Sequence, residues 1–251
     1  MIQILFIVGL LFIPGLYHHY GTPFRLSKVS VDWPYDPAWE VGDESAEISS
    51  ILSEPFTFLG KGVQSFAFAS NDGKYVLKCF RFDACKMPQA RKIALWVKTW
   101  IGKRQRKDNR PAEIFKACKL TFDQLQEETG LLWIHLNLKP GNKIKVYDAF
   151  GRSHWIDPAK NRFVLQKRAV RLMTALEKAT ENEQKEIFAS FVQLLKALEE
   201  KGIATTDSKL RSNFGMMDGR AVQIDFADNV YDPLSAHKNT EHFVNRLKSK
   251  M

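Results

Sequence analysis

Apolar and polar residues alternate along the chain from residue 56 onwards, as they do in strands with one buried face. Two alternating stretches, 56–69 and 75–80, flank the polar turn 71–73, whose sequence is Asn-Asp-Gly. An Asn-Asp-Gly turn between two alternating stretches predicts a β-hairpin. Apolar runs at 144–147 and 162–166 predict two further strands.

Later in the chain the spacing of apolar residues changes to that of helices. Residues 88–128 have a helical pattern that is broken by the polar run 103–110 and by Pro111. A long amphipathic helix is predicted from about Glu183 to Glu200, ending at Gly202. Its apolar stripe consists of Ile187, Phe188, Phe191, Leu194, Leu195 and Leu198. Antiparallel strands followed by helices predict an α+β fold with two lobes.

The N-terminal segment is almost wholly apolar. Residues 1–16 contain a single polar residue, Gln3, and the first charged side chain is Arg25. A helix of residues 1–20 would reach about 24–30 Å, close to the thickness of a bilayer core. We therefore predict an uncleaved membrane anchor at 1–20, with a cleaved signal peptide of a secreted protein and a segment buried in the fold as alternatives.

The residues that follow the apolar segment predict its orientation in the membrane and a linker to the main domain. Arg25 and Lys28 come directly after it, which places the main domain on the cytoplasmic side of the membrane. Residues 21–49 contain Pro23, Pro34, Pro37 and Gly42 and predict a linker. The basic stretch 91–107, with two tryptophans, is interpreted either as a helix that lies on an anionic membrane or as an inserted helix packed on the protein.

Composition limits the class of protein. The 251 residues are 45% apolar, which is typical of a globular chain with one large domain or two small lobes. The net charge of +9 permits partners that bear phosphate, but the basic residues are scattered, and nucleic acid is not expected as a partner. Cys79, Cys85 and Cys118 have the spacing of neither a disulfide framework nor a zinc site, so we expect buried thiols in a reducing compartment.

The turn before the hairpin contains candidate phosphate-binding groups. Gly60 and Gly62 lie between two predicted strands, where backbone amides can approach phosphate oxygens without interference from a Cβ. A dinucleotide fingerprint or a Walker loop is excluded, because a helix must follow the glycines in both. Lys78 lies sixteen residues after Gly62 on the next strand, where a cation for the α- and β-phosphates is needed.

Four polar residues after the long helix form the second half of the candidate site. Asp207, Lys209 and Asn213 lie in one loop, and a short predicted strand then leads to Asp225. An aspartate can accept the proton of a hydroxyl group, and amide and carboxylate oxygens are ligands that Mg²⁺ prefers. The order of glycines, lysine, loop aspartate, asparagine and strand-end aspartate predicts phosphoryl transfer.

With these motifs, residues 50–232 resemble the protein-kinase-like superfamily. The resemblance implies that Gly60 and Gly62 form the glycine-rich loop and that Lys78 is the lysine of strand three. It also implies that Asp207 and Lys209 are the catalytic residues of the catalytic loop. Asn213 of the same loop and Asp225 of the Asp-Phe-Gly motif are implied to bind the metal ion. The segment 163–168 is similar to strand five and the hinge, so adenine is expected to meet the backbone near Gln166 and Arg168.

The resemblance implies a two-lobed protein-kinase-like α+β fold with an antiparallel sheet in the N-lobe, 50–168, and a reduced helical C-lobe, 169–251. It further implies ATP and Mg²⁺ as cofactors and an unknown protein or small molecule as the phosphate acceptor. Only 26 residues follow Asp225, as in minimal bacterial or effector-type kinases. Thr205 and Thr206 replace the usual His-Arg before Asp207, and Ala227 replaces the last glycine of Asp-Phe-Gly.

These departures leave two other functions open: an inactive pseudokinase that binds nucleotide as a scaffold, and nucleotidyl transfer on the same fold. The glutamate that would pair with Lys78 is also left open between Glu113, Glu127 and Glu128.

Overall fold

The computed structural model describes residues 24–30, 33–82, 110–207 and 209–250. Its largest sheet within these ranges has seven strands. In chain order they are β1 (Phe56–Lys61), β2 (Ser65–Ser70), β3 (Tyr75–Phe80), β4 (Leu131–His135), β5 (Ile144–Tyr147), β6 (Ser153–Ile156) and β7 (Phe163–Lys167). Across the sheet the order is β4-β7-β3-β2-β1-β5-β6, and only β1 and β5 run parallel.

The remaining elements of the described residues are short strands and helices. The strands are β8 (Val170–Arg171), β9 (Ile203–Thr205), β10 (Phe214–Met217), β11 (Arg220–Gln223) and β12 (Asn229–Tyr231). The helices are α1 (Leu26–Val29), α2 (Ala46–Ser53), α3 (Arg110–Gln124), α4 (Gln126–Thr129), α5 (Leu172–Lys178), α6 (Glu181–Glu200), α7 (Leu210–Asn213) and α8 (Pro233–Lys248), with a 3-10 turn at Pro37–Trp39. The predicted α+β class with a mostly antiparallel sheet is confirmed.

The predicted hairpin is the β2–β3 pair. Gly73 takes the left-handed conformation that the turn requires, with φ of 72°. Asp72 stabilises the turn because its carboxylate accepts hydrogen bonds from the backbone of Lys74 at 3.0 Å and from the hydroxyl of Ser70 at 2.6 Å. The strands predicted at 144–147 and 162–166 are β5 and, one residue later, β7.

The long helix α6 begins two residues before the predicted start. Thr180 caps it, because the Thr180 hydroxyl accepts the Glu183 N–H while the Glu183 carboxylate accepts the Thr180 N–H. Gly202, with φ of 66°, follows the end of the helix as predicted. The apolar stripe of α6 packs into a core with α8 and β11.

The stretch predicted as a linker packs against the protein where the structure describes it. Phe24 and Val29 are buried beneath the seven-stranded sheet, and Trp39 is buried against Phe115 of α3. Large apolar side chains among the prolines thus hold the segment in place. Proline content indicated an irregular backbone, but it did not indicate whether that backbone would be free.

The prediction of a membrane-anchored protein is corrected. In the part of the chain that the structure describes, no helix combines the length and the apolar character needed to cross a bilayer. Residues 1–20, on which the prediction was based, lie outside the described residues, as do Cys85 and the basic stretch 91–107. Cys79 and Cys118 are buried free thiols, as expected.

Candidate functional site

A cavity of about 240 Å³ lies between the β1–β2 turn, strand β3, helix α3 and the segments around Asp207 and Asp225. Five of the residues singled out from the sequence line it: Gly62, Lys78, Asp207, Lys209 and Asp225. They come from four segments that are far apart in the chain, and the fold brings them to one concave surface.

Strand β3 directs Lys78 into this cavity. Its neighbours Leu77 and Cys79 are buried on the other face of the sheet, so alternation along the strand turns Lys78 towards the cavity. The ammonium group donates a hydrogen bond to the carbonyl of Ile224 and lies 5.3 Å from the centre of the Phe226 ring. Burial lowers the pKa of Lys78, and the negative charge of Asp225 opposes this shift.

The loop after β9 holds Asp207 by several hydrogen bonds. The Lys209 ammonium lies 3.0 Å from the Asp207 carboxylate, which also accepts the Lys209 N–H at 3.3 Å. The Asn213 side-chain amide donates to the backbone carbonyl of Asp207 at 3.1 Å, and the Ser212 hydroxyl donates to the Asn213 side-chain oxygen at 2.8 Å. The carboxylate of Asp207 is therefore fixed at the edge of the cavity.

Asn213 connects this loop to the segment that contains Asp225. The backbone carbonyl of Asn213 accepts the N–H of Ile224 at 2.7 Å and the N–H of Asp225 at 3.3 Å. Asn213 itself is almost fully buried, next to Ser212 in the cavity lining. The two acidic segments are thus joined through the hydrogen bonds of Asn213.

Gly60 does not line the cavity. It belongs to β1, where it pairs with Ala67 of β2 after a bulge that begins at Phe58. The open turn begins two residues later, and Gly62 donates its N–H to the carbonyl of Ser65 at 2.8 Å. The bulge shifts the register of β1, which the glycine spacing alone did not indicate.

Gln166 and Arg168 also lie outside the cavity lining. Gln166 is on β7, an inner strand, and its side chain donates to the carbonyl of Thr129 at 2.6 Å. The backbone N–H of Arg168 donates to the carbonyl of Lys74 at 2.7 Å. Their expected contact with adenine stays a prediction.

The cavity lining also includes Gln64, Cys118 and Asp228, which were not predicted as site residues from the sequence. The side-chain amide of Gln64 donates to both oxygens of Asp228, at 3.3 and 3.2 Å, and so joins the β1–β2 turn to the segment after Asp225. Cys118 lines the cavity from α3, and burial raises the pKa of its thiol, which keeps it neutral. In the sequence, the position of Asp228 three residues after Asp225 was a weak indication that it belongs to the site. No sequence pattern indicated that Cys118 does.

The three glutamates considered as partners of Lys78 lie elsewhere. Glu128 pairs with Lys201 at 2.5 Å, whereas Glu113 and Glu127 are exposed. Among the described residues, Asp225 is the carboxylate whose charge acts on Lys78.

A buried amide pair holds α3 against the acidic segment. The side chains of Gln223 and Asn229 exchange two hydrogen bonds, at 2.8 and 2.9 Å, and Asn229 also donates to the hydroxyl of Thr121 on α3 at 3.3 Å. Gln223 and Asn229 are both buried, so water does not compete for these bonds.

The acidic groups of the described residues do not form a ready metal cage. No group of three or more His, Cys, Asp or Glu side chains among them could hold a metal ion.

No protein-family model and no curated protein matches this sequence. Solved structures similar to the chain include WbdD bound to the kinase inhibitor LY294002, with a TM-score of 0.44 and 17% sequence identity. That match covers 76% of this chain and 37% of WbdD. A structure of WbdD described as a bifunctional kinase-methyltransferase matches with a TM-score of 0.39 and 19% identity, covering 73% of this chain and 34% of that protein.

The chain therefore spans little more than a third of the length of these WbdD structures. Since the TM-scores are low, we base the functional proposal on the residues of the cavity.

Proposed function

We propose that the protein is an ATP- and Mg²⁺-dependent phosphotransferase of the protein-kinase-like type, with two lobes at 50–168 and 169–251 and an unknown protein or small-molecule acceptor. The observation that supports this most is the convergence of Gly62, Lys78, Asp207 and Asp225 on one cavity. A backbone turn, a cation and two carboxylates are the groups that phosphoryl transfer requires.

Each group has a separate task in this proposal. The β1–β2 turn and Lys78 bind the phosphates, and Asp207 accepts a hydrogen bond from the acceptor hydroxyl and orients it. Lys209, which is 3.0 Å from the Asp207 carboxylate, lies where it can neutralise charge that develops on the transferred group. Catalysis is then mostly positioning and electrostatic stabilisation.

The donor set near Asp225 suits Mg²⁺, because carboxylate and amide oxygens are hard ligands. Asp225 and Asn213 would hold the ion, which supplies positive charge next to the phosphate oxygens. For Asn213 this role requires that its side-chain oxygen, which accepts the Ser212 hydroxyl, also be available to the cation.

A second function, that of a pseudokinase, is favoured by one observation. Asn213 is almost fully buried, and both ends of its amide are engaged, with Asp207 and with Ser212. If this arrangement persists when nucleotide binds, the metal site is incomplete, and the cavity would bind nucleotide without transferring phosphate.

The first experiment compares the two functions in the full-length chain. We expect Mg·ATP to raise the melting temperature, and we expect the γ-phosphate of labelled ATP to be transferred to an acceptor in a protein and small-molecule extract. Transfer should be lost in Asp207→Asn and in Asp225→Asn, while Asp123→Asn on the surface of α3 is the matched control and should retain it.

Three results are informative against this expectation. Stabilisation by nucleotide without label transfer would support the pseudokinase. Incorporation of an α-label would support nucleotidyl transfer. Nucleotide affinity that is unaltered in Lys78→Ala and Asp225→Asn would show that the assignment of the cavity is wrong.

A further inference from the structure

We propose that Lys78 is positioned by the segment Ile224–Phe226 and not by a carboxylate of helix α3, and that Cys118 is the residue of α3 that makes this possible. The inference deepens the proposed function and rests on it where nucleotide binding is concerned. It follows from the side chains and backbone groups that the neighbouring elements place near the ammonium group of Lys78.

Helix α3 presents an uncharged surface to the cavity. Its buried residues include Ile114, Phe115, Cys118 and Thr121, which recur at helical spacing on the side that faces the sheet. At about 100° per residue, Glu113 lies about 140° around the helix from Cys118 and is exposed. No rotamer change alone would bring its carboxylate to the opposite side of the helix.

Helix α4 cannot supply the carboxylate either. Glu128 is engaged with Lys201, whose ammonium also donates to the carbonyl of Gln124 at 2.8 Å. Glu127 is exposed. Cys118 is therefore the group of these two helices that lies in the cavity with Lys78.

The segment after β11 provides the contacts that the helices do not. The Ile224 carbonyl accepts the hydrogen bond of Lys78, and the Phe226 ring lies 5.3 Å from its ammonium group. Ile224 is in turn fixed by its N–H, which donates to Asn213 at 2.7 Å. The position of Lys78 is thus coupled to the loop of Asp207 through backbone hydrogen bonds.

This arrangement leaves the charge of Lys78 available for an anionic ligand. A carbonyl and an aromatic ring orient the ammonium group but carry no net charge, and Asp225 of the same segment is the carboxylate whose charge already acts on Lys78. A second carboxylate, on α3, would neutralise the ammonium group further and compete with phosphate. A neutral thiol at position 118 avoids that competition. Lys78 is expected to favour phosphorylated ligands without any rearrangement of α3.

The first test needs no nucleotide. The full-length protein is treated briefly with an amine-acetylating reagent, and mass spectrometry gives the modification of Lys78 relative to the exposed Lys74. We expect Glu113→Gln, Glu127→Gln and Glu128→Gln to leave this ratio within about twofold of wild type, and Phe226→Ala to raise it by about fivefold or more, since the ring shields the amine. Increased modification of Lys78 in any of the glutamate variants would overturn the proposal.

The second test introduces the missing carboxylate. Cys118→Glu should weaken Mg·ATP by about tenfold, because the new carboxylate pairs with Lys78 in competition with phosphate. Adenosine, which lacks phosphate, should bind as before, so the effect is not a general distortion of the cavity. Cys118→Ser is the matched control and should change the affinity for Mg·ATP by less than about threefold.

A double variant completes the design. In the Lys78→Ala background, Cys118→Glu should have no further effect on Mg·ATP affinity beyond about twofold, since its target is gone. Tighter binding of Mg·ATP by Cys118→Glu would show that Lys78 needs a carboxylate and would overturn the inference. If wild type binds no nucleotide, the proposed function fails, while the acetylation ratios still decide how Lys78 is positioned.

Discussion

Lys78 and Asp148 both place a charge in the interior, but their surroundings differ. Asp148, in the turn between β5 and β6, accepts the backbone N–H groups of Phe150 and Arg152 at 2.9 and 3.0 Å. Its carboxylate also accepts hydrogen bonds from the side chains of Arg152 at 2.8 Å and His154 at 3.1 Å. Lys78, by contrast, has three N–H donors, and the hydrogen bond described for it goes to the carbonyl of Ile224.

The difference lies in how fully the surroundings compensate each charge. Burial alone would raise the pKa of Asp148, but its hydrogen bonds with Arg152 and His154 outweigh burial and lower the pKa to about 2. The pKa of Lys78 is lowered because burial is compensated only in part, by Asp225. A charge with several hydrogen-bond partners stabilises the fold, whereas a partly compensated charge next to a cavity favours a ligand of opposite sign.

The largest expected effect is on ligand binding by Lys78→Ala. Under the proposed function Lys78 contacts phosphate, so we expect the affinity for Mg·ATP to fall by about 100-fold or more when this buried cation is lost. The free energy of unfolding should stay within about 1 kcal/mol of wild type, since removing a partly compensated buried charge costs little. Isothermal titration calorimetry and urea unfolding measure the two quantities, with Lys74→Ala as the control on the same hairpin. A large loss of stability with unchanged affinity would show that Lys78, like Asp148, serves the fold and not a ligand.

Asp148→Ala should have the opposite effects, a large one on stability and a small one on nucleotide affinity. Loss of its carboxylate leaves two backbone N–H groups without their acceptor, so we expect the free energy of unfolding to fall by about 2–3 kcal/mol. Affinity for Mg·ATP should not change by more than about twofold, because Asp148 is not part of the cavity. Urea unfolding of Asp148→Ala beside the exposed variant Asp123→Ala is the measurement; equal losses in both variants would contradict the special role of Asp148.

The acid limb of the stability curve gives a third prediction. The pKa of Asp148 is lower in the folded protein than in the unfolded chain, so its contribution is present above about pH 4 and is lost as the pH falls towards 2. We expect this residue to account for about 2 kcal/mol of the loss of unfolding free energy between these pH values. Denaturant unfolding as a function of pH should show a shallower acid limb in Asp148→Asn. Parallel curves for variant and wild type would disprove the assignment.

The smallest effect is expected for Gln64→Ala. The hydrogen bonds from Gln64 to Asp228 join the β1–β2 turn to the acidic segment and contribute about 1 kcal/mol. Hydrogen exchange of residues 60–66 should become faster, and nucleotide should dissociate about two- to fivefold faster. Leu59→Ala, an exposed change on the neighbouring strand, should leave both rates as in wild type, and an effect of equal size there would mean that the contact with Asp228 is not responsible.

The local elements were predictable because their signals lie within a few residues. Alternation and the Asn-Asp-Gly turn identified β2 and β3, and the apolar stripe identified α6 to within two residues. The convergence of Lys78 with Asp225 followed from the order of motifs rather than from any pattern of spacing. The resemblance to kinases directed attention to Gly60, but a bulge in β1 shifts the open turn to Gly62.

What the sequence did not reveal depends on packing between distant segments. Cys118 lines the cavity only because the buried side of α3 faces Lys78, and a single cysteine on a helix has no distinctive spacing. Phe24 and Trp39 anchor a proline-rich stretch by contacts with β2 and α3. Such contacts depend on shape and burial, which one-dimensional patterns do not encode.

The amide pair of Gln223 and Asn229 has a mechanical consequence. Since Asn229 also donates to the Thr121 hydroxyl, outward rotation of α3 would break this buried hydrogen bond, at a cost of about 1 kcal/mol, while the bonds between Gln223 and Asn229 would stay intact. Movement of this helix is therefore coupled, through one buried contact, to the strand that follows the acidic segment.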